Sequence, residues 1–177
     1  MKRYFCLFFL IIINKTTFSQ DVIISGVNKN RPLTWEDFTG NPDRGSTHEA
    51  NTYWNLNYSF QGISFKGDTA KIKAFSFTLE LNGELSWVKQ DKQTGYLLKH
   101  EQGHFDIGLL CQLELIREFN NTVFLRSNFS NQIKQLFDSV MSKYRQMGLK
   151  YDEETNHSKD QQSQEKWNAF FAKELNR

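Results

Sequence analysis

The strongest constraint on the fold of this 177-residue chain is a change in the spacing of its apolar residues at about Gly95. Before that point apolar residues recur within short runs, such as 53–60 and 72–81, as on strands that bury one face. After it they recur every three or four residues, which is the spacing of amphipathic helices. Strands followed by helices predict the α+β class.

The same spacing predicts the individual elements. A small, mainly antiparallel sheet is expected between Val22 and Val88, with Asn82-Gly83 as a hairpin turn into residues 85–88. Ahead of the sheet, Thr34 is placed to cap a short helical turn. Three helices are expected to follow, over about 96–119, 131–147 and 161–175, with Gly148 ending the second. We predict a single domain over residues 20–177.

The first 19 residues have the three-part pattern of a secretory signal peptide. Lys2 and Arg3 precede ten apolar residues at 4–13, and the small-residue pattern Thr17-Phe18-Ser19 follows. Ten helical residues cover only about half of a hydrocarbon core ~30 Å thick, which argues against a membrane anchor. We therefore predict cleavage after residue 19 and export to the periplasm or the exterior, with no stable membrane insertion of the mature chain.

The composition of the mature chain excludes two classes of binding protein. The full sequence has a net charge of +2, but removal of Lys2, Arg3 and Lys15 leaves 19 basic residues against 20 acidic residues. A near-neutral surface lacks the long-range attraction needed to bind nucleic acid or anionic lipid. Cys111 is then the only cysteine, so the stability of the domain must come from packing or from a bound metal.

The residues that carry chemistry lie near the start of the first predicted long helix. The run His100-Glu101-Gln102-Gly103-His104 matches the pattern HExxH. On a helix the two histidines are one turn apart and separated by about 40° of rotation, so both imidazoles can reach one ion. Glu101 lies about 100° from His100, where its carboxylate can contact a water on the ion. The pattern is typical of zinc peptidases, and a solvated polar helix face is the alternative.

A catalytic zinc site takes three protein ligands, so a third must be found. Asp106 points about 200° away from His104, and the later glutamates lie about 15 Å or more along the helix. The remaining histidines are His48 and His157. A second helix folded back antiparallel would return the chain to the motif, where the polar, loop-like segment 151–157 would present His157. We favour His157 as the third ligand and interpret His48 as a surface residue.

Several runs of residues resemble the bacterial domain of unknown function 922, whose members are usually described as predicted secreted zinc-dependent proteases. They are the run 98–107, the patterns Tyr151-Asp152-x-x-Thr155-x-His157 and Gln164-x-x-Trp167, and the opening pattern Leu33-x-Trp35-x-Asp37-Phe38-x-Gly40. The resemblance implies His100, His104 and His157 as metal ligands and Glu101 as the catalytic residue. Ser158 stands where the family tends to have glycine, and serine would strain a backbone with positive φ.

Three other residues have simpler interpretations. Cys111 and Trp167 are expected to pack in the core. Tyr151 is expected near the metal, where its phenol either packs or donates a hydrogen bond to the oxyanion formed during peptide hydrolysis.

Two hypotheses for the function follow. The first is a secreted zinc metallopeptidase with a zincin-like domain, in which Glu101 takes a proton from the metal-activated water that attacks a peptide carbonyl. Its partner is a peptide or protein substrate, extended along an edge strand of the sheet. The second is a non-catalytic envelope protein, in which zinc stabilises the disulfide-free domain and the sheet binds a partner. The hypotheses differ at Glu101, which a closed structural site does not need.

Overall fold

A β-sheet backed by helices makes up the part of the chain that the computed structural model describes, residues 16–177. In chain order the strands are β1 (Thr17–Ile24), β2 (Val27–Asn28), β3 (Ala50–Asn51), β4 (Trp54–Lys66), β5 (Thr69–Leu81), β6 (Trp87–Val88) and β7 (Phe124–Leu125). The helices are α1 (Gly95–Asn121), α2 (Phe129–Thr155) and α3 (Gln161–Glu174). The predicted α+β class is confirmed.

The larger sheet is mixed. Its strand order is β2-β1-β5-β4, and β7 also pairs with β5. β1 runs parallel to β5, with Gln20 opposite Phe77, whereas the other pairs are antiparallel. The prediction of a mainly antiparallel sheet missed this parallel pair, because the partner of a strand is set by contacts far apart in sequence.

The predicted hairpin at Asn82-Gly83 is wrong. A turn does form there, since the Ser86 N–H donates to the Asn82 carbonyl, but the chain does not return along β5. Instead β6 pairs with β3 in a separate two-stranded sheet. Gly83 packs so closely on the backbone of Asp37 that a Cβ would lie 2.8 Å from its carbonyl oxygen. The Thr39 N–H also donates to the Gly83 carbonyl, so the turn is held against residues 37–39.

Helix α1 lies against one face of the sheet. Buried side chains of β5, among them Phe77 and Leu79, point toward it. Gly108 allows the close approach, because a Cβ there would lie 2.9 Å from Leu79 Cδ1 and 3.0 Å from the Trp54 ring. The buried Gln112 amide donates to the carbonyls of Asp21 and Phe77, which fixes α1 along β1 and β5. The sheet thereby sets the position of α1.

The opening pattern at residues 33–40 has a structural explanation. The Leu33 N–H donates to Gln102 Oε1 on α1 at 2.7 Å. The buried Asp37 carboxylate accepts hydrogen bonds from the Thr34 N–H and from the Arg31 guanidinium. Burial alone would raise the pKa of Asp37, but these hydrogen bonds outweigh it and lower the pKa to about 2. The segment therefore supports α1 without entering the site described below.

The second helix is longer than predicted. It continues through Gly148 to Thr155, so the segment from Tyr151 to Thr155 is helical rather than a loop. A mid-helix glycine costs about 1 kcal/mol relative to alanine. Burial of the aromatic Tyr151 one turn later stabilises the helix by about 2 kcal/mol, which is more. The packing of Tyr151 therefore outweighs the tendency of Gly148 to end the helix.

The predicted folding-back of α2 along α1 is confirmed by contacts at three levels. Met141 Sδ lies 3.6 Å from Cys111 Sγ, Tyr144 donates to Glu114, and Asp152 reaches His100. Cys111 is fully buried, as predicted for a core residue. Helix α3 then packs over the end of α2, where Trp167 and Phe171 contact the Tyr151 ring.

The predicted signal peptide lies mostly outside the described residues. Its apolar run at 4–13 is not among them, whereas Thr17, Phe18 and Ser19 are the first three residues of β1. Within residues 16–177, no helix combines the length and the apolar character that a membrane crossing requires.

Candidate metal centre

The HExxH residues lie in the first turns of α1. Thr94 caps this helix by accepting a hydrogen bond from the Leu97 N–H at 3.1 Å. His100 and Glu101 are buried, and the His104 side chain is 17% exposed. Both histidines are directed toward the C-terminal part of α2, as their spacing on one helix face predicts.

Asp152 of α2 lies between the two histidines. Its Oδ1 atom is 3.2 Å from His100 Nε2 and 3.0 Å from His104 Nε2. The three side chains can each offer one ligand atom, and these atoms all lie within 4.8 Å of one another. Ligands about 2.0–2.1 Å from a tetrahedral zinc are about 3.3–3.4 Å apart, close to the two distances measured here. The group fits a metal ion held by two imidazoles and one carboxylate.

The hydrogen bond on the other side of His100 shows why a cation suits this group. His100 Nδ1 lies 2.9 Å from Gln164 Oε1, and the Gln164 amide is oriented because its nitrogen donates to Tyr151 and Asn168. An amide oxygen only accepts, so Nδ1 carries the proton. A His100 ring that carries only this proton would direct its Nε2 lone pair at the Asp152 carboxylate. Two acceptors at 3.2 Å require a cation between them, either a metal ion or a proton on the ring.

The charges in this group act on each other. Burial alone would lower the pKa of His104, but its hydrogen bond to Asp152 and the charge of Glu101 outweigh burial and raise that pKa. Burial alone would raise the pKa of Asp152, but hydrogen bonds from His100 and His104 hold it well below its usual range. The carboxylate is therefore ionised and attracts cations.

The Tyr151 ring packs against the rings of both His100 and His104. Its ring is fully buried and stacks on the His100 ring with centres 4.7 Å apart. Its hydroxyl donates to the His100 carbonyl and accepts from Gln164, so it packs and orients His100 rather than facing a substrate. Gly103 is required for this approach, because a Cβ there would lie 2.6 Å from Tyr151 Cζ.

His157 lies beside the group, and His48 lies beside His157. His157 Nδ1 is 3.4 Å from Asp152 Oδ1, and the His157 side chain is 45% exposed. The ring centres of His48 and His157 are 4.5 Å apart. His157 is not one of the three mutually close ligands, so its predicted role as a ligand stays a prediction. Sequence reasoning missed Asp152, although aspartate is an ordinary zinc ligand, because it searched a presumed loop for a histidine.

A left-handed turn holds His157 in place. Asn156, His157 and Ser158 have φ values of +47°, +50° and +70°. The positive φ at Ser158 is the left-handed conformation that favours the glycine found at this position in the resembled family. It costs a non-glycine residue about 1–2 kcal/mol. The turn is fixed by hydrogen bonds from the His157 N–H to the Asp152 carbonyl and from the Asp160 N–H to the Thr155 carbonyl.

Glu101 lines the same cleft as His100, His104 and Asp152. Its Oε2 atom accepts a hydrogen bond of 2.6 Å from the Thr52 hydroxyl. It is not a member of the three-ligand group, which agrees with the 100° separation predicted from its place on the helix. Thr52 lies in the two-residue link between β3 and β4, so the strand side of the molecule positions this carboxylate.

These residues line one end of a cleft of about 750 Å³. Its walls are the segment 48–57 on one side and residues 137–157 of α2 and the following turn on the other, and α1 forms the floor. Consecutive residues of segment 48–57, which contains β3, the link after it and the start of β4, line the cleft. The arrangement leaves the three-ligand group open to a molecule in the cleft.

Comparison with known families agrees with the resemblance drawn from the sequence. The model of the family described as "Bacterial protein of unknown function (DUF922)" matches residues 33–158, more than two thirds of the chain. The matched region contains the HExxH motif, Asp152 and His157. No curated protein and no solved structure gave a significant match.

Proposed function

The chain belongs to the DUF922 family of bacterial proteins, and we propose that it is an exported zinc-dependent metallopeptidase with a zincin-like domain. One observation carries the proposal. An aspartate lies between the two histidines of HExxH, with the motif's glutamate directed into the same open cleft. Metal-dependent peptide hydrolysis uses a metal site of this kind with a base beside it.

His100, His104 and Asp152 are the residues that would hold the ion. Two imidazole nitrogens and one carboxylate oxygen match the ligands of catalytic zinc sites, which keep one position free. When bound, zinc supplies a Lewis acid that polarises a carbonyl and lowers the pKa of water toward 7. Gln164 supports the site by holding the proton of His100 on Nδ1, so that Nε2 stays available.

Glu101 is the general base in this proposal. Its carboxylate accepts the proton from the attacking water and passes it to the nitrogen of the leaving amine. Thr52 occupies Oε2 and thereby fixes the rotation of the carboxylate, which leaves Oε1 for the water. Burial of Glu101 in the cleft wall keeps other water molecules from solvating the base.

The substrate is an extended peptide. Strand β4 is at one end of the sheet order, so its outer edge has no strand partner among residues 16–177. Residues 54–57 of that strand line the cleft. The free N–H and C=O groups can hydrogen-bond an added strand, with its carbonyl carbon near Glu101. The signal-like first 19 residues support action outside the cytoplasm.

One observation favours a second candidate, a structural zinc site in a non-catalytic envelope protein. His157 Nδ1 lies 3.4 Å from Asp152 Oδ1, so His157 is the side chain beside the three-ligand group that would supply a fourth ligand. Four protein ligands would close the site to water, as in structural zinc centres. This candidate gives no role to Glu101, which provides the test.

The deciding experiment compares Glu101→Gln with the unaltered protein. Residues 20–177, loaded with zinc, are incubated with a diverse peptide mixture, and cleavage is followed by mass spectrometry with and without a chelator. Loss of the general base should reduce cleavage about 10²–10⁴-fold. Zinc content should not change, because Glu101 is not in the three-ligand group. Glu118→Gln, on the same helix but away from the cleft, is the matched control.

Each other outcome has a definite meaning. Cleavage by Glu101→Gln at the normal rate would exclude the proposed mechanism. A zinc-loaded protein that cleaves nothing, and in which Glu101→Gln changes neither the zinc content nor the stability, would instead support the structural site.

A further inference from the structure

The cleft has an apolar end that neither the metal ligands nor Glu101 uses. Ile107 lies three residues after His104 and on the same face of α1, about 4.5 Å further along the helix. Leu56 of β4 and Met141 of α2 line the same region from the two walls. The apolar end therefore begins one helical turn from the candidate metal centre.

Rigid packing shapes this apolar end. Ile107 and Leu56 are 1% and 5% exposed, so they form a fixed base. Met141 is half-buried, and its Sδ atom rests 3.6 Å from Cys111. Methionine has a flexible, polarisable side chain that adapts to different apolar partners.

Two large apolar side chains stand exposed at the mouth of the same cleft. Tyr53, next to Thr52, is 44% exposed, and Leu149, three residues before Asp152, is 63% exposed. They come from opposite walls and both line the cleft. Apolar side chains exposed on both walls of one concave site gain stability when an apolar group covers them.

We propose that the cleft selects peptides with a bulky apolar side chain next to the bond held at the metal centre. The side chain fills the space between Leu56, Ile107 and Met141, while Tyr53 and Leu149 cover the adjoining backbone. The position of this side chain next to a cleaved bond rests on the proposed function. The preference for an apolar side chain is a property of peptide binding alone. It is therefore tested by binding as well as by cleavage.

The binding experiment uses the zinc-loaded Glu101→Gln protein, which should hold peptide without cleaving it. Three labelled dodecapeptides of glycine and serine carry a single central leucine, alanine or aspartate. Leucine has three more carbons than alanine, so the leucine peptide should bind about tenfold tighter or more, and the aspartate peptide weakest. Equal affinity for the three peptides would overturn the proposal.

Two pairs of variants locate the selecting surface. Leu149→Glu should weaken binding of the leucine peptide severalfold, whereas Val123→Glu, at an equally exposed apolar residue outside the cleft, should have no effect. Met141→Ala should enlarge the pocket and improve binding of a phenylalanine peptide relative to the leucine peptide. Equal effects of the two glutamate variants, or an unchanged preference in Met141→Ala, would contradict the assignment.

Cleavage separates this inference from the proposed function. Selective binding of apolar peptides without cleavage by the unaltered protein would keep the inference and remove the peptidase. Cleavage at bonds without regard to the neighbouring side chains would keep the peptidase and remove the inference.

Discussion

Asp152 is the residue that most changes the description of the site. Its carboxylate approaches the Nε2 atoms of both His100 and His104. Replacing an ionised oxygen ligand with a neutral amide keeps the shape of the side chain but removes its charge. Such a substitution should lower the affinity for the metal while the protein still folds.

The first test at the residue scale therefore measures zinc affinity by competition with a chelator. Asp152→Asn should lower the affinity about 100-fold or more, since even residues that only support ligands contribute 10–100-fold. His157→Ala should lower it far more than His48→Ala, because His157 contacts Asp152 and His48 contacts only His157 among these residues. Unchanged affinity in Asp152→Asn would show that the metal is held elsewhere.

Thr52 gives a second test at this scale. Thr52→Val removes the hydrogen bond to Glu101 Oε2 while keeping the side-chain volume, so the carboxylate can rotate. We expect kcat to fall about tenfold with zinc content unchanged, and Thr52→Ser, which keeps the hydroxyl, to restore most of it. Equal rates for the valine and serine variants would show that the hydroxyl does not position the base.

The elements were predictable to the extent that local spacing determines them. The strand runs at 53–60 and 72–81 and the helix carrying HExxH were found because their apolar residues repeat regularly. The C-terminal end of α2 was misplaced because a glycine was given more weight than the buried Tyr151 beyond it. That error placed Asp152 in a presumed loop, where only a histidine was considered as the third ligand.

Two helix glycines test the balance between propensity and packing. Gly148→Ala should stabilise the protein by about 1 kcal/mol, because an added Cβ meets nothing within 4 Å. Gly103→Ala should destabilise it by about 1–3 kcal/mol, because its Cβ would overlap the Tyr151 ring. Chemical denaturation of both variants measures the difference. A similar effect of the two substitutions would mean that Tyr151 does not pack against Gly103.

At the scale of the whole molecule, the site combines parts that are distant in sequence. Thr52 comes from the segment before β4, His100 and His104 from α1, and Asp152 from α2. The two ends of this set are 100 residues apart, and sequence spacing alone cannot place them together. The parallel pairing of β1 with β5 was missed for the same reason. In both cases long-range packing determines the result.

Because the metal ligands come from two helices, metal binding should raise the free energy of unfolding of the whole domain. In residues 20–177 Cys111 is the only cysteine, so no disulfide within the domain contributes. An ion held by α1 and α2 together binds the folded state and not the unfolded chain. At a free zinc concentration 1,000 times the Kd, binding adds about 4 kcal/mol to the free energy of unfolding. For a domain of this size that corresponds to about 8–16 °C in Tm.

Thermal unfolding of residues 20–177 in zinc and in a chelator tests this last prediction. The zinc sample should melt about 8–16 °C higher, and magnesium, which prefers oxygen ligands, should give little increase. Asp152→Asn should lose most of the zinc effect, whereas His48→Ala should keep it. A reducing agent should leave Tm unchanged, because the buried Cys111 forms no disulfide. Equal Tm in zinc and chelator would mean that the two helices do not share an ion, whatever the fate of the catalytic proposal.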